Sequence, residues 1–267
     1  MSAHEHDTAH FLATAVRAAK LAGDVLVERR GKVSVEFKGH HRDLVTEADR
    51  LAEEAVRDVL LSAFPDHGIV GEESGETAGD SEYRWFVDPL DGTTNYAQGL
   101  PLFATSIALE RNGELLVGVI HAPVLGETYT AVRGRGAWRN GEPLRVSEEK
   151  QLENGLLVTG FPYDMSPGQP DNADHILTLV PRTRGVRLLG TAAIDLAYVA
   201  SGLFEAYWDL TNAPWDVAAG VLLVEEAGGK VTDMTGGEFD LMRARLLASN
   251  GHLHDELLGV FREGRID

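Results

Sequence analysis

The chain is predicted to be a mixed α/β protein, because helical and extended patterns alternate along nearly its whole length with no internal repeat and no low-complexity linker. Hydrophobic residues make up 43% of its 267 residues and charged residues 25%, which is enough apolar content for a sizeable core. The pattern also changes partway, from short strands joined by tight turns to an alternation of strands and helices. That change predicts an N-terminal half, residues 1–148, and a C-terminal half, residues 149–267, within one compact unit.

Residues 8–30 place Phe11, Leu12, Ala15, Val16, Ala19, Ala22, Val25 and Leu26 at helical spacing, and Gly31 ends the pattern. Residues 33–37 read as a strand. Thr46 then stands where a helix cap would, with Asp49 in the first turn, Leu51, Ala55, Val59 and Leu60 behind it, and Pro65 as the stop. Between residues 68 and 130 come the apolar runs 69–70, 85–87, 106–109, 115–120 and 128–130, separated by turn signals such as Asn112-Gly113. They predict a largely antiparallel sheet. Beyond residue 154 the order is strand 156–159, helix 171–180, strand 186–189, helix 192–200, strand 204–208 and helix 214–227. Pro214 lies in the first turn of the last helix and Gly228-Gly229 follows it.

The balance of 24 basic against 42 acidic residues, a formal charge of -18, disfavours direct contact with nucleic acid or acidic membranes and makes cations the natural counterpart. No cysteine occurs, which excludes disulfides, thiolate metal sites and cysteine nucleophiles. No apolar run approaches the roughly 18 residues that span a bilayer, and the first residues lack the pattern of a signal peptide. A cytoplasmic protein is expected.

The segment Trp85-Phe86-Val87-Asp88-Pro89-Leu90-Asp91-Gly92-Thr93-Thr94-Asn95 runs a buried-type strand straight into two carboxylates. Pro89 fixes the backbone between them, so Asp88 and Asp91 can point into one space, as oxygen ligands of a hard cation such as Mg²⁺ must. Gly92 and Thr93 offer backbone N–H groups beside them, an anion site if a helix begins there. Taken alone, Asp-x-x-Asp is more often a turn with two solvated acids. Its weight comes from three other acidic positions: Glu72 after the run 69–70, Asp49 at one helix start and Asp216 at another. Singly, Asp49 and Asp216 read as ordinary first-turn acids.

The motifs Asp43-Leu44-Val45-Thr46-Glu47-Ala48-Asp49, Gly71-Glu72-Glu73-Ser74, Val87 to Asn95, Gly190-Thr191-Ala192 and Pro214-Trp215-Asp216 occur in one order over nearly the whole chain. In this the chain resembles the inositol monophosphatase family of lithium-sensitive, magnesium-dependent phosphatases. The resemblance implies a layered αβαβα sandwich of the inositol monophosphatase and fructose bisphosphatase type, and a homodimer. It implies a first metal held by Glu72, Asp88 and the carbonyl of Leu90, a second held by Asp88, Asp91 and Asp216, and a third, weaker ion sharing Glu72, so that two or three Mg²⁺ serve each site. Thr93 would position and relay the proton of the attacking water, with Asp49 accepting from it. Lys38 matches a lysine that the family keeps near that water; a solvated surface lysine is as good a reading of the sequence.

The resemblance also places phosphate on Asp91, Gly92 and Thr93, and substrate hydroxyls against Gly190, Thr191, Ala192, Asp209 and Asp216. Asp209 stands where many inositol phosphatases carry glutamate, and the missing methylene shifts the acceptor too far for the same direct hydrogen bond. The expected activity is hydrolysis of a small polyol or sugar phosphate, inositol monophosphate first. Fructose bisphosphatase, histidinol phosphatase and adenosine bisphosphate phosphatase activities on the same metal core are the alternatives. A different class, an interaction protein working with the transcription or ribosomal RNA machinery, also stays open. His4, His6 and His10 read as part of a mobile polar N-terminus, and Trp208 and Trp215 as core.

Overall fold

Four alanines on one stripe, Ala15, Ala18, Ala19 and Ala22, are fully buried and let helix α1 (Ala3–Arg29) lie close against α2 (Glu47–Ala63), which answers with Ala48 and Ala52. The structure is a computed structural model that describes residues 3–32, 35–37, 44–162 and 172–263. α1 begins earlier than the apolar pattern predicts. His10 therefore belongs to a helix and packs edge-on against Phe64, at 5.1 Å between ring centres, and not to a mobile tail.

A short antiparallel pair, β1 (Val35–Phe37) and β2 (Leu44–Thr46), precedes α2. The large sheet then builds from β3 (Gly68–Gly71), β4 (Gly75–Thr77), β5 (Tyr83–Asp91), β6 (Ala104–Arg111), β7 (Glu114–Ala122), β8 (Glu127–Val132), β9 (Gly136–Arg139) and β10 (Glu142–Pro143), with helix α3 (Thr93–Ala97) between β5 and β6. Its strand order is β10-β9-β8-β7-β6-β5-β3-β4, antiparallel throughout except for β3 beside β5. The expected antiparallel sheet is there, with that one parallel pair added.

The smaller sheet uses β11 (Leu156–Thr159), β12 (Gly185–Arg187), β13 (Ala206–Asp209), β14 (Lys230–Thr232) and β15 (Leu246–Ser249), in the order β12-β11-β13-β15-β14. Helices α4 (Ala173–Leu179), α5 (Ala192–Ala200), α6 (Pro214–Glu226) and α7 (His254–Glu263) complete the chain.

Three apolar cores fix the layers. One joins α1 and α2 to the outer face of the large sheet through Trp85, Ile107, Val117 and Val119. A second fills the space between the sheets with α5 and α6. A third packs α4 and α7 on the far face of the small sheet, around Trp208, Leu257 and Phe261. The result is the layered αβαβα sandwich. α6 is buried at every position from Val217 to Val224, as a helix between two sheets must be. β5, covered on both faces, is buried continuously from Trp85 to Leu90 and not in alternation.

Candidate functional site

Near the end of β5 Pro89 removes an N–H from the ladder, and the pairing with β6 slips between Asp88 and Asp91. The slipped segment is still bonded. Thr105 Oγ1 donates to the Pro89 carbonyl at 2.9 Å, and the Leu90 N–H donates to Asp88 Oδ1 at 2.9 Å. Asp88 is only 2% exposed, inside the sandwich. Gly92 then turns the chain with φ of 93°, and a Cβ there would lie 3.0 Å from the Leu102 carbonyl, so glycine is required on both counts. The helix that follows, α3, is a single short segment of five residues.

Thr93 is the buried first residue of α3. Its hydroxyl has two acceptors in reach, Asp49 Oδ1 at 3.2 Å and the Leu90 carbonyl at 3.0 Å. Asp49 is itself fixed by a capping box at the start of α2: its Oδ2 accepts from the Thr46 N–H at 2.8 Å and from the Thr46 hydroxyl at 2.6 Å. Burial pushes Asp49 above the usual carboxylate range, against the hydrogen bonds from Thr46 and Thr93.

Glu72 follows β3, its N–H donating to the Val87 carbonyl at 3.1 Å, and its side chain hydrogen-bonds Asp88. Glu53, on α2, holds this turn from behind by accepting from the Glu73 N–H at 2.8 Å and the Ser74 N–H at 3.0 Å. A Cβ on Gly71 would come within 2.7 Å of Glu53 Oε1, so the turn sits directly on that carboxylate.

Asp91 reaches across to the second half of the chain. Its Oδ2 accepts from the Ala193 N–H at 2.7 Å and from the Thr191 hydroxyl at the N-terminus of α5. Burial raises Asp91 to about 6, opposed by those bonds. Asp216 accepts from the Ala213 N–H at 2.7 Å in the first turn of α6, and the Ser106 hydroxyl donates to the Trp215 carbonyl at 3.1 Å, tying that turn to β6. Burial first, and then Glu72 and Asp91, push Asp216 well above the carboxylate range; burial with Glu72, Asp91 and Asp216 does the same to Asp88.

One cleft of about 800 Å³ is lined by Glu72, Asp88, Leu90, Asp91, Gly92, Thr93, Gly190, Thr191, Ala192, Asp209 and Asp216, so the sequence motifs meet in space. Asp49 stands behind Thr93. Lys38 lies outside the described residues. Trp215 borders the cleft, whereas Trp208 is core against Phe261. Asp209, at the end of β13, accepts from the Thr211 N–H at 2.9 Å and hydroxyl at 3.0 Å, and burial still raises its pKa.

Three residues of this region escaped the sequence. Glu53 is one turn after Asp49 on the buried face of α2, a spacing that could have drawn attention to it. Asn95 anchors the loop at Gly190, its Nδ2 donating to the Leu102 carbonyl at 2.8 Å and the Leu189 carbonyl at 2.7 Å. Asp195 lines the cleft from α5, and burial beside Asp91 and Asp209 pushes it well above the usual carboxylate range.

Among the described residues no three of these acids already converge as a finished metal cage. The donor chemistry nonetheless fits a hard divalent ion: the donors are all oxygen, and Asp88 and Asp216 are buried against one another's charge with no Lys, Arg or His among the described lining residues.

The profile of the inositol monophosphatase family matches residues 7–265. "Nus factor SuhB" of Pseudomonas aeruginosa is 46% identical over 254 residues, spanning 91% of this chain and 93% of that protein. "Fructose-1,6-bisphosphatase/inositol-1-monophosphatase" of Thermotoga maritima is 40% identical, spanning 93% of this chain and 94% of its own. Among solved structures, the inositol monophosphatase from Anabaena superposes with a TM-score of 0.88 at 42% identity, covering 96% of this chain and 97% of that one.

Proposed function

The chain belongs to the inositol monophosphatase family, a hydrolase family acting on small phosphate esters, and from that premise we propose that it hydrolyses the monophosphate of a neutral polyol, inositol monophosphate first, with Mg²⁺ as its metal. The observation that carries this is the pairing of a buried acidic cleft with the Thr93–Asp49 hydrogen bond at its floor. Glu72, Asp88, Asp91, Asp216 and the Leu90 carbonyl would hold two or three ions. Bound Mg²⁺ supplies neutralisation of the phosphate charge and lowers the pKa of water, in favourable sites to about 7.

Thr93 has one hydroxyl proton. Donated to Asp49, it leaves the oxygen lone pairs facing the cleft, where they accept from the attacking water. Asp49, made a stronger base than a surface aspartate by burial, takes the proton that Thr93 passes on. Thr46 keeps Asp49 from rotating away. Gly92, Thr93 and Asp91 border the phosphate end, while Gly190, Thr191, Ala192, Asp209 and Asp216 border the organic end. A homodimer and a cytoplasmic location belong to the same proposal; among the described residues no helix is long and apolar enough to cross a membrane.

Phosphate release from inositol 1-phosphate, fructose 1,6-bisphosphate, histidinol phosphate and adenosine 3′,5′-bisphosphate, with Mg²⁺ and with chelator, tests the proposal. Metal-dependent release led by the inositol ester supports it, and no release from folded protein overturns it. The second reading is an interaction role with the transcription or ribosomal RNA machinery, and the Pseudomonas aeruginosa relative bears the name "Nus factor SuhB". Capture of the same RNA polymerase-associated partner by wild type and by Asp88→Asn would support that role, and no capture by either would remove it.

A further inference from the structure

Asp216 stands on α6, in the second half of the chain, yet it lines the same cleft as Asp88 and Asp91 of β5. Asp88 lies opposite Ser106 and Asp91 opposite Ala104, and Ala104 and Ser106, two positions apart on β6, share a face. The slip at Pro89 and Leu90 thus carries both acids to the side of the large sheet on which α6 lies. α6 sits directly on that face: a Cβ on Gly118 of β7 would come within 2.9 Å of the Ala219 carbonyl oxygen, and from the other side a Cβ on Gly220 would come within 2.5 Å of Leu196. The C-terminal end of the helix is tied by Arg133 to Glu225 at 2.7 Å, and by the Gly134 and Gly136 N–H groups to Glu226 at 2.8 Å. The N-terminal end is tied by Ser106, which is fully buried and not part of the cleft wall; its hydroxyl donates to the Trp215 carbonyl at 3.1 Å. The cross-strand neighbour of Asp88 therefore holds the peptide bond that leads into Asp216. Charge pulls the other way, because Asp88 and Asp216 are buried close enough to repel, which pushes the helix start off the sheet.

We propose that Ser106 is a positioning residue for the metal: by fixing the Trp215 carbonyl it sets the spacing of Asp216 from Asp88, and with it the affinity for the divalent ion that the two would share. The inference rests on the Mg²⁺ site proposed above, and Ser106 itself touches neither metal nor substrate. Ligands held in place by the fold bind more tightly, because the cost of bringing them together has already been met.

The test is the melting temperature as a function of Mg²⁺ concentration, which reports binding to the folded chain without any substrate. It compares wild type, Ser106→Ala, Asp216→Asn and the double variant, with Ser249→Ala as control. Ser249 is a fully buried residue of β15, hydrogen-bonded with His254 Nδ1 at 2.8 Å and outside the cleft wall. Ser106→Ala should move the curve to Mg²⁺ concentrations about threefold to tenfold higher, the worth of one neutral hydrogen bond. Ser106→Cys, which keeps the bulk and a weak donor, should move it by less. Ser249→Ala should lower the melting temperature and leave the Mg²⁺ dependence unchanged, and in the Asp216→Asn background Ser106→Ala should add no further shift. An unchanged Mg²⁺ dependence in Ser106→Ala, an equal shift in Ser249→Ala, or the full shift persisting beside Asp216→Asn would overturn the inference. Wild type that melts at one temperature with and without Mg²⁺ would remove the metal site and the inference with it, whereas Mg²⁺-responsive wild type that releases no phosphate would overturn the phosphatase function alone.

Discussion

Asp91 and Ala193 are hydrogen-bonded at 2.7 Å although 102 positions separate them, so the last residue of β5 is fastened to the first turn of α5. The cleft is thus built across a seam between early and late parts of the chain, and its stability and chemistry are coupled there.

Thr191 both donates to Asp91 and caps α5 by accepting from the Ile194 N–H at 3.4 Å. Thr191→Ala should cost about 1–2 kcal/mol, the usual worth of a lost cap with a buried hydrogen bond. Denaturant unfolding should show it as a lower midpoint with unchanged slope. Turnover should fall as well, because Asp91 loses the group that orients it.

Burial places Asp91 at about 6, above an unfolded aspartate near 3.9. Between those values the folded chain binds the extra proton, so the contribution of Asp91 to stability is lost as pH rises through that window. In chelator, the melting temperature of Asp91→Asn relative to wild type should therefore climb between pH 4 and pH 7. Added Mg²⁺ should stabilise wild type more at pH 7.5 than at pH 5, since protons and metal compete for the same carboxylates. A pH-independent difference would show that Asp91 is not raised.

Glu53 touches the cleft only through the turn it supports. Glu53→Ala would leave the Glu73 and Ser74 N–H groups without their acceptor, at a cost of about 1–3 kcal/mol each. Because Glu72 is the side chain that turn presents, the Mg²⁺ concentration for half-maximal activity should rise several-fold while activity at saturating metal recovers. Loss of activity with unchanged metal dependence would contradict this.

Asp88→Asn should abolish turnover, by roughly 10²-fold or more, as for loss of an electrostatic group at a reacting centre. It should also leave the melting temperature equal or higher in chelator, because it removes a buried acid that Glu72, Asp91 and Asp216 repel. Full activity in purified Asp88→Asn would sink the proposed mechanism. Inhibition by Li⁺ in the millimolar range is the parallel expectation from the family.

Acids that follow an apolar strand or begin a helix are weak signals singly, and Glu72, Asp88, Asp91 and Asp216 were legible because their motifs occur together in the order that resembles the family. Thr46 and Asp49 were legible as a cap, because a capping box is local. Glu53 was not, since an acid inside a helix usually faces water, nor was Asp195, which reads as an ordinary first-turn acid of α5; only tertiary packing turns these two inward. The role of Asn95 was unreadable for a related reason: one of its partners, Leu189, lies 94 positions away. The strands β14 and β15 and the helix α7 were not singled out at all; β14 is three residues long and carries too little pattern to stand out.

α6 is enclosed from Val217 to Val224 between the two sheets, with Asp216 at its start. Its amides have no route to solvent short of separating the sheets, so they should exchange hydrogen for deuterium only when the whole molecule opens. The β1–β2 pair that leads to Thr46 and Asp49 is a two-stranded sheet outside both larger ones and should exchange through local opening. The acid at the start of α6 is therefore fixed for the lifetime of the fold, while the strand pair that leads into α2 opens and recloses on a faster clock.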